Sequence, residues 1–137
     1  MMTFFSRITG ALILTAGVGL AHGADVGAAL SGNEEVPPVM TSAKGTAVIT
    51  VGSDMSIRGK VTTSGIVGTM AHVHLGAAGE NGPALITLMK GAENEWMIPV
   101  GTKLSAEQYV AYKADKLYVN VHSEAHAGGE IRVQLKP

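Results

Sequence analysis

Two segments decide the fold: Met70-Ala-His-Val-His-Leu75 and Leu117-Tyr-Val-Asn-Val-His122. In each, aliphatic residues alternate with polar or aromatic ones. Successive side chains of a β-strand point to opposite faces. Ala71, Val73 and Leu75 therefore share one face of the first segment, with Met70, His72 and His74 on the other. Leu117, Val119 and Val121 share one face of the second, with Tyr118, Asn120 and His122 on the other. An aliphatic stripe of period two belongs to an antiparallel sheet with one face on a core and one face toward water. All three histidines sit on the non-core side.

The same alternation continues outward along the chain. Residues 44–51 alternate, Gly52-Ser53-Asp54 supplies a turn, and Met55, Ile57, Gly59 and Val61 then line one face opposite Ser56, Arg58, Lys60 and Thr62. These runs form a hairpin with one wet face. Residues 25–30 read as a weak first strand. The stretch Glu34-Glu35-Val36-Pro37-Pro38 cannot enter a central strand, because proline lacks the donor. A glycine-rich loop spans 76–83, and strands are expected at 84–89, 95–99 and 130–135. Residues 105–114 form the one helix candidate, with Ser105 and Gln108 spaced as a capping box. Val110, with Leu104 or Tyr109, is expected to face the body. Many short strands with one short helix predict an all-β protein, an antiparallel sandwich or barrel.

Residues 1–23 have the layout of a secretory signal peptide: a short start carrying Arg7, an apolar stretch from Ile8 to Leu20, and small residues before Ala24. One domain, residues 24–137, follows. The chain has no cysteine, so neither a lipid anchor on cysteine nor a disulfide is available. The expectation is a periplasmic or secreted protein with no membrane span after processing. Both phenylalanines leave with the leader, so the core is built from Val, Ile, Leu, Ala and Met, with Trp96 and three tyrosines. Removing Arg7 from the ten basic residues leaves nine, against eleven acidic. That balance argues against nucleic acid or an anionic membrane as partner.

Of the five histidines, His22 falls in the leader and the other four fall in or beside the two strands. Imidazole is the commonest protein ligand for zinc and copper. His72 and His74 have Cα atoms roughly 6.5–7 Å apart on one strand face, so their rings can converge on one ion. His122 joins them if the strands are neighbours, and His126 is a fourth candidate from the following loop. Met70 adds a soft thioether that favours copper. The competing reading is a polar seam whose histidines bond to backbone or to carboxylates such as Glu124 or Glu130. Glu34 and Glu35 are adjacent and face apart if extended, which reads as a solvated pair. Gly76-Ala-Ala-Gly79 lacks the lysine and helix of a phosphate loop, and no serine sits in a nucleophile elbow.

The chain resembles the CHRD domain, a module named after chordin and found also as a stand-alone exported bacterial protein. The resemblance rests on Leu30-Ser-Gly-Asn-Glu-Glu-Val-Pro-Pro38, on Ala71-His-Val-His-Leu-Gly76 with Gly79-Glu-Asn-Gly-Pro83, and on Tyr118-Val-Asn-Val-His122 with Gly128-Gly-Glu-Ile-Arg132. It implies an immunoglobulin-like β-sandwich or barrel, likened to copper-zinc superoxide dismutases, and no general activity. His72-Val-His74 is similar to the dismutase copper pair. The bridging histidine, the aspartate and the disulfide of that family have no counterpart here. The expectation is therefore an exported, non-enzymatic binding module that holds copper or zinc through His72, His74, His122 and His126. The alternatives are an envelope or extracellular protein-interaction domain without metal, and a dismutase-like copper enzyme.

Overall fold

The computed structural model describes residues 27–137. The leader expected over residues 1–23 lies outside the described residues. The chain forms two antiparallel sheets. One contains, in spatial order, β1 (Ala28–Leu30), β2 (Lys44–Val51), β3 (Ile57–Ser64), β7 (Glu95–Met97) and β6 (Met89–Lys90). The other contains β5 (Ala84–Thr87), β4 (Gly68–Leu75), β8 (Leu117–Ser123) and β9 (Ile131–Gln134). The hairpin of β2 and β3 pairs Lys44 with Ser64 through to Val51 with Ile57. The helix α1 (Ala106–Lys113) precedes β8. The sandwich expected from the alternation is the fold observed. Among the described residues, no helix is long and apolar enough to cross a membrane.

The core lies between the sheets. Ala47, Val61 and Trp96 from the first sheet meet Ala71, Val73, Leu117, Val119, Val121 and Ile131 from the second, all buried. The aliphatic faces of β4 and β8 stand in register, Ala71 opposite Val121 and Val73 opposite Val119. A side chain on Gly68 would strike the indole of Trp96 at 2.8 Å, so glycine at the start of β4 lets the ring lie under that strand.

Three expectations are corrected. Residues 84–89 do not form one strand. Leu88 turns into the core, bonds Ala71 O through its backbone N–H, and passes the chain from β5 in one sheet to β6 in the other. Burial of one leucine between the sheets outweighs continuation of a short edge strand. Val110 does not face the body: it is 67% exposed. The capping box is present, with Gln108 N–H donating to Ser105 Oγ at 3.1 Å, but Tyr112 packs inward instead, donating its hydroxyl to Lys136 O. The third correction concerns the non-core face of β8. Every residue of β8 is buried on both faces.

Replacement of Leu117, fully buried, by Ala is expected to cost roughly 2–5 kcal/mol of stability. Val110→Ala, on the exposed side of α1, is expected to stay within about 0.5 kcal/mol. Urea denaturation of the two variants checks the ordering.

Candidate metal centre

The outer face of the β4–β8–β9 sheet carries His72 and His74 from β4, Tyr118, Asn120 and His122 from β8, and Arg132 and Gln134 from β9. Loops cover this face. Residues 76–83 lie over it: Arg132 Nη2 donates to Ala77 O at 3.0 Å, Gln134 Nε2 to Gly76 O at 2.7 Å, and Gly82 N–H to the Tyr118 hydroxyl. The segment containing Glu35 closes from a second side, held by Asn81 Nδ2 donating to Val36 O at 2.7 Å. Residues 123–130 close the third side, where Ser123 Oγ donates to Glu130 Oε1 at 2.7 Å. The expected wet face is thus a covered polar layer, buried along β8 and β9 and half-buried at His72 and His74.

His72, His74 and His122 converge. Each offers one ring nitrogen, and these nitrogens lie within 4.8 Å of one another. The register explains it: His72 stands opposite Asn120 and His74 opposite Tyr118, so His122 is the diagonal neighbour of His72. Nδ1 of His72 is 3.0 Å from Nε2 of His122. His74 lies parallel to Tyr118 with ring centroids 4.7 Å apart, and the Arg132 guanidinium sits 3.4 Å over the phenol ring. This stack fixes the plane of the His74 ring.

Two of the three rings have a defined tautomer. His74 Nδ1 meets Gly82 O at 2.9 Å, and His122 Nδ1 meets Ala127 O at 2.9 Å. A carbonyl oxygen only accepts, so both Nδ1 atoms carry the proton and both Nε2 atoms carry a lone pair. Metal-bound histidines are oriented in the same way, through a donor bond from the second nitrogen to a backbone carbonyl or carboxylate. His72 Nδ1–H then donates to the lone pair of His122. Nε2 of His74 is buried and has no hydrogen-bond partner. Buried polar atoms are nearly always satisfied, so this lone pair is free to take a donor or a Lewis acid.

Burial, with the neighbouring rings, holds His72 below the ordinary 6.5. Burial does the same for His74 against the opposing effect of Gly82 O. Both rings are therefore neutral at pH 7, the form that binds metal. His126 does not join the cluster. It lines a separate cavity of about 560 Å³ with Glu35, Pro37 and Asn81. Met70 stands opposite His122 and is 48% exposed, at the rim. Glu130 bonds Ser123 and Thr41 rather than a histidine.

A family model described as the CHRD domain matches residues 26–135. The chain belongs to the CHRD domain family. No curated protein and no solved structure matches it.

Within this CHRD domain, the polar layer contains residues that alternation alone did not single out. Glu35 was read as half of a solvated pair, yet it is 4% exposed while Glu34 is exposed. Burial pushes its carboxyl up to about 7, against the pull of the Asn120 amide and of Arg132. Arg132 is 1% exposed, and no carboxylate among the described residues lies within ion-pair distance of it. The available signal was the position of Glu35 in the first CHRD motif and of Asn120 and Arg132 in the last.

Because the folded carboxyl of Glu35 lies above its ordinary 4.5, its stabilising contribution is complete below about pH 4.5 and is lost as pH rises toward 7. Glu35→Gln removes that loss. The stability gap between variant and wild type should widen between pH 4.5 and 7 and stay level above, in thermal unfolding across pH. His72 and His74 act oppositely, losing stability as pH falls below 6.5.

Proposed function

We propose that this CHRD domain is an exported, non-enzymatic binding module that holds one copper or zinc ion through His72, His74 and His122. The observation that carries this reading is the convergence of three ring nitrogens within 4.8 Å of one another, with the Nδ1 atoms of His74 and His122 both committed to backbone carbonyls. Zinc and copper accept imidazole at about 2.0–2.1 Å. A tetrahedral ion at that distance separates its ligands by about 3.3 Å. The His72–His122 pair, at 3.0 Å, opens by a few tenths of an ångström to admit it. The His72 proton moves from Nδ1 to Nε2 in the process, with no net gain or loss. His74 and His122 keep their bonds to Gly82 O and Ala127 O.

Three imidazoles leave a fourth coordination position, and Met70 at the rim is the nearest soft donor by register. The cluster contains no carboxylate and no bridging histidine, which favours binding over dismutase chemistry. One observation favours a metal-free seam instead: the short His72–His122 contact is itself a satisfied hydrogen bond. It does not call for a third ring, and the convergence of His74 on that pair, with its Nδ1 proton committed to Gly82 O, ranks the metal reading first.

Titration of the protein with zinc and with copper tests the proposal. Stoichiometric one-to-one binding is expected, weakened about 100-fold or more by His74→Ala or His122→Ala and little changed by His126→Ala. Absence of stoichiometric binding, or binding that survives both cluster substitutions, rejects it and leaves the seam.

A further inference from the structure

Among the described residues, three buried side-chain polar atoms lack a hydrogen-bond partner: Glu35 Oε1, Asn120 Oδ1 and His74 Nε2. They are contiguous. The Asn120 amide contacts His74 on one side and the Glu35 carboxyl on the other. A Cβ built on Gly129 would collide with both Asn120 Nδ2 and Glu35 Oε1, and Gly129 has φ +123°, so glycine is required for the two to meet there. Asn120 Nδ2 has one long bond, 3.5 Å to Gly128 O. Three orphaned atoms that adjoin through Asn120 have a common cause rather than three separate ones.

With Nδ1–H of His74 committed to Gly82 O, its Nε2 is an acceptor. Asn120 Oδ1 is also an acceptor. The two cannot bond as they stand. Turning the amide by 180° puts Nδ2–H on His74 Nε2 and Oδ1 toward Glu35, which can donate to it only if the carboxyl carries a proton. All three atoms are then satisfied. A metal ion on His74 Nε2 displaces the Nδ2 donor. The amide turns back, donates Nδ2–H to a carboxylate, and the carboxyl proton leaves to solvent.

We propose that Asn120 and Glu35 are positioning residues of the metal centre, coupling ion binding at His74 to release of one proton from Glu35. This rests on the metal reading of the site above. Glu35 reaches the rings only through Asn120. The charged and titratable groups around it are Arg132 from β9, His74 from β4 through Asn120, and His126 across the cavity. Arg132 favours the carboxylate once it forms. Burial holds His72 and His74 below 6.5, and comparison with Glu35→Gln and His126→Ala isolates the proton that comes from Glu35.

The test is calorimetric titration with Zn²⁺ in buffers of different ionisation enthalpy, on wild type, Glu35→Gln and His126→Ala. Wild type should release most of one proton per zinc at pH 6.5 and almost none at pH 8, with affinity rising severalfold across that window. Glu35→Gln should release none and show flat affinity. His126→Ala should match wild type. Equal proton release from Glu35→Gln and wild type, or loss of release in His126→Ala, overturns the coupling while leaving the metal site standing. Failure of wild type to bind zinc overturns both. If Glu35→Gln does not fold, the ¹³C shift of the Glu35 carboxyl in wild type at pH 6.5 decides. It should move from the acid to the carboxylate position on adding zinc, and an unmoved shift overturns the proposal.

Discussion

Everything at the candidate site depends on the burial of a polar sheet face. β8 has Leu117, Val119 and Val121 on the sandwich core and Tyr118, Asn120 and His122 under a lid of loops. Buried polar groups are tolerated only when each finds a partner. That constraint orders the lid. Gly82 O and Ala127 O take the Nδ1 protons of His74 and His122, and the Tyr118 hydroxyl receives Gly82 N–H. The same bonds turn both Nε2 lone pairs inward. The arrangement of the three rings is a consequence of satisfying the layer, not of their spacing alone.

Arg132 is the clearest measure of how closed this layer is. Its guanidinium lies on Tyr118, whose other ring neighbour is His74, and its hydrogen bonds go to Ala77 O, Gln134 and Asn81 rather than to a carboxylate. A buried cation without a counter-ion is costly. Arg132 acts on the Glu35 carboxyl, yet burial favours the protonated form of that group near neutrality. The layer therefore holds a buried cation beside a carboxyl that burial keeps near its neutral form.

The sandwich was legible because alternation records which face is apolar, and β2, β3, β4 and β8 all alternate. The adjacency of β4 and β8, on which the histidine cluster depends, was a conditional expectation that the register meets. The fate of the opposite face was not legible. Polar residues at every second position suit water and suit a polar lid equally well, and only the path of the loops separates the two. For the same reason Glu35 read as solvated, although its neighbour Glu34 is. Leu88 and Val110 were misplaced because a two-residue change of sheet and a two-turn helix carry too little periodicity to fix a direction. His126 follows β8 closely in sequence, but the turn at 123–129 directs it to the cavity beside Glu35 instead of to the rings.

The central claim is that the lid fixes the ring tautomers of the metal-free protein. Long-range ¹H–¹⁵N correlation of the imidazoles at pH 7.5 measures this directly. The account predicts a proton on Nδ1 and a bare Nε2 in His74 and in His122. Nε2–H on either ring would contradict it, because the lone pair would then face a carbonyl and the three nitrogens could not share an ion.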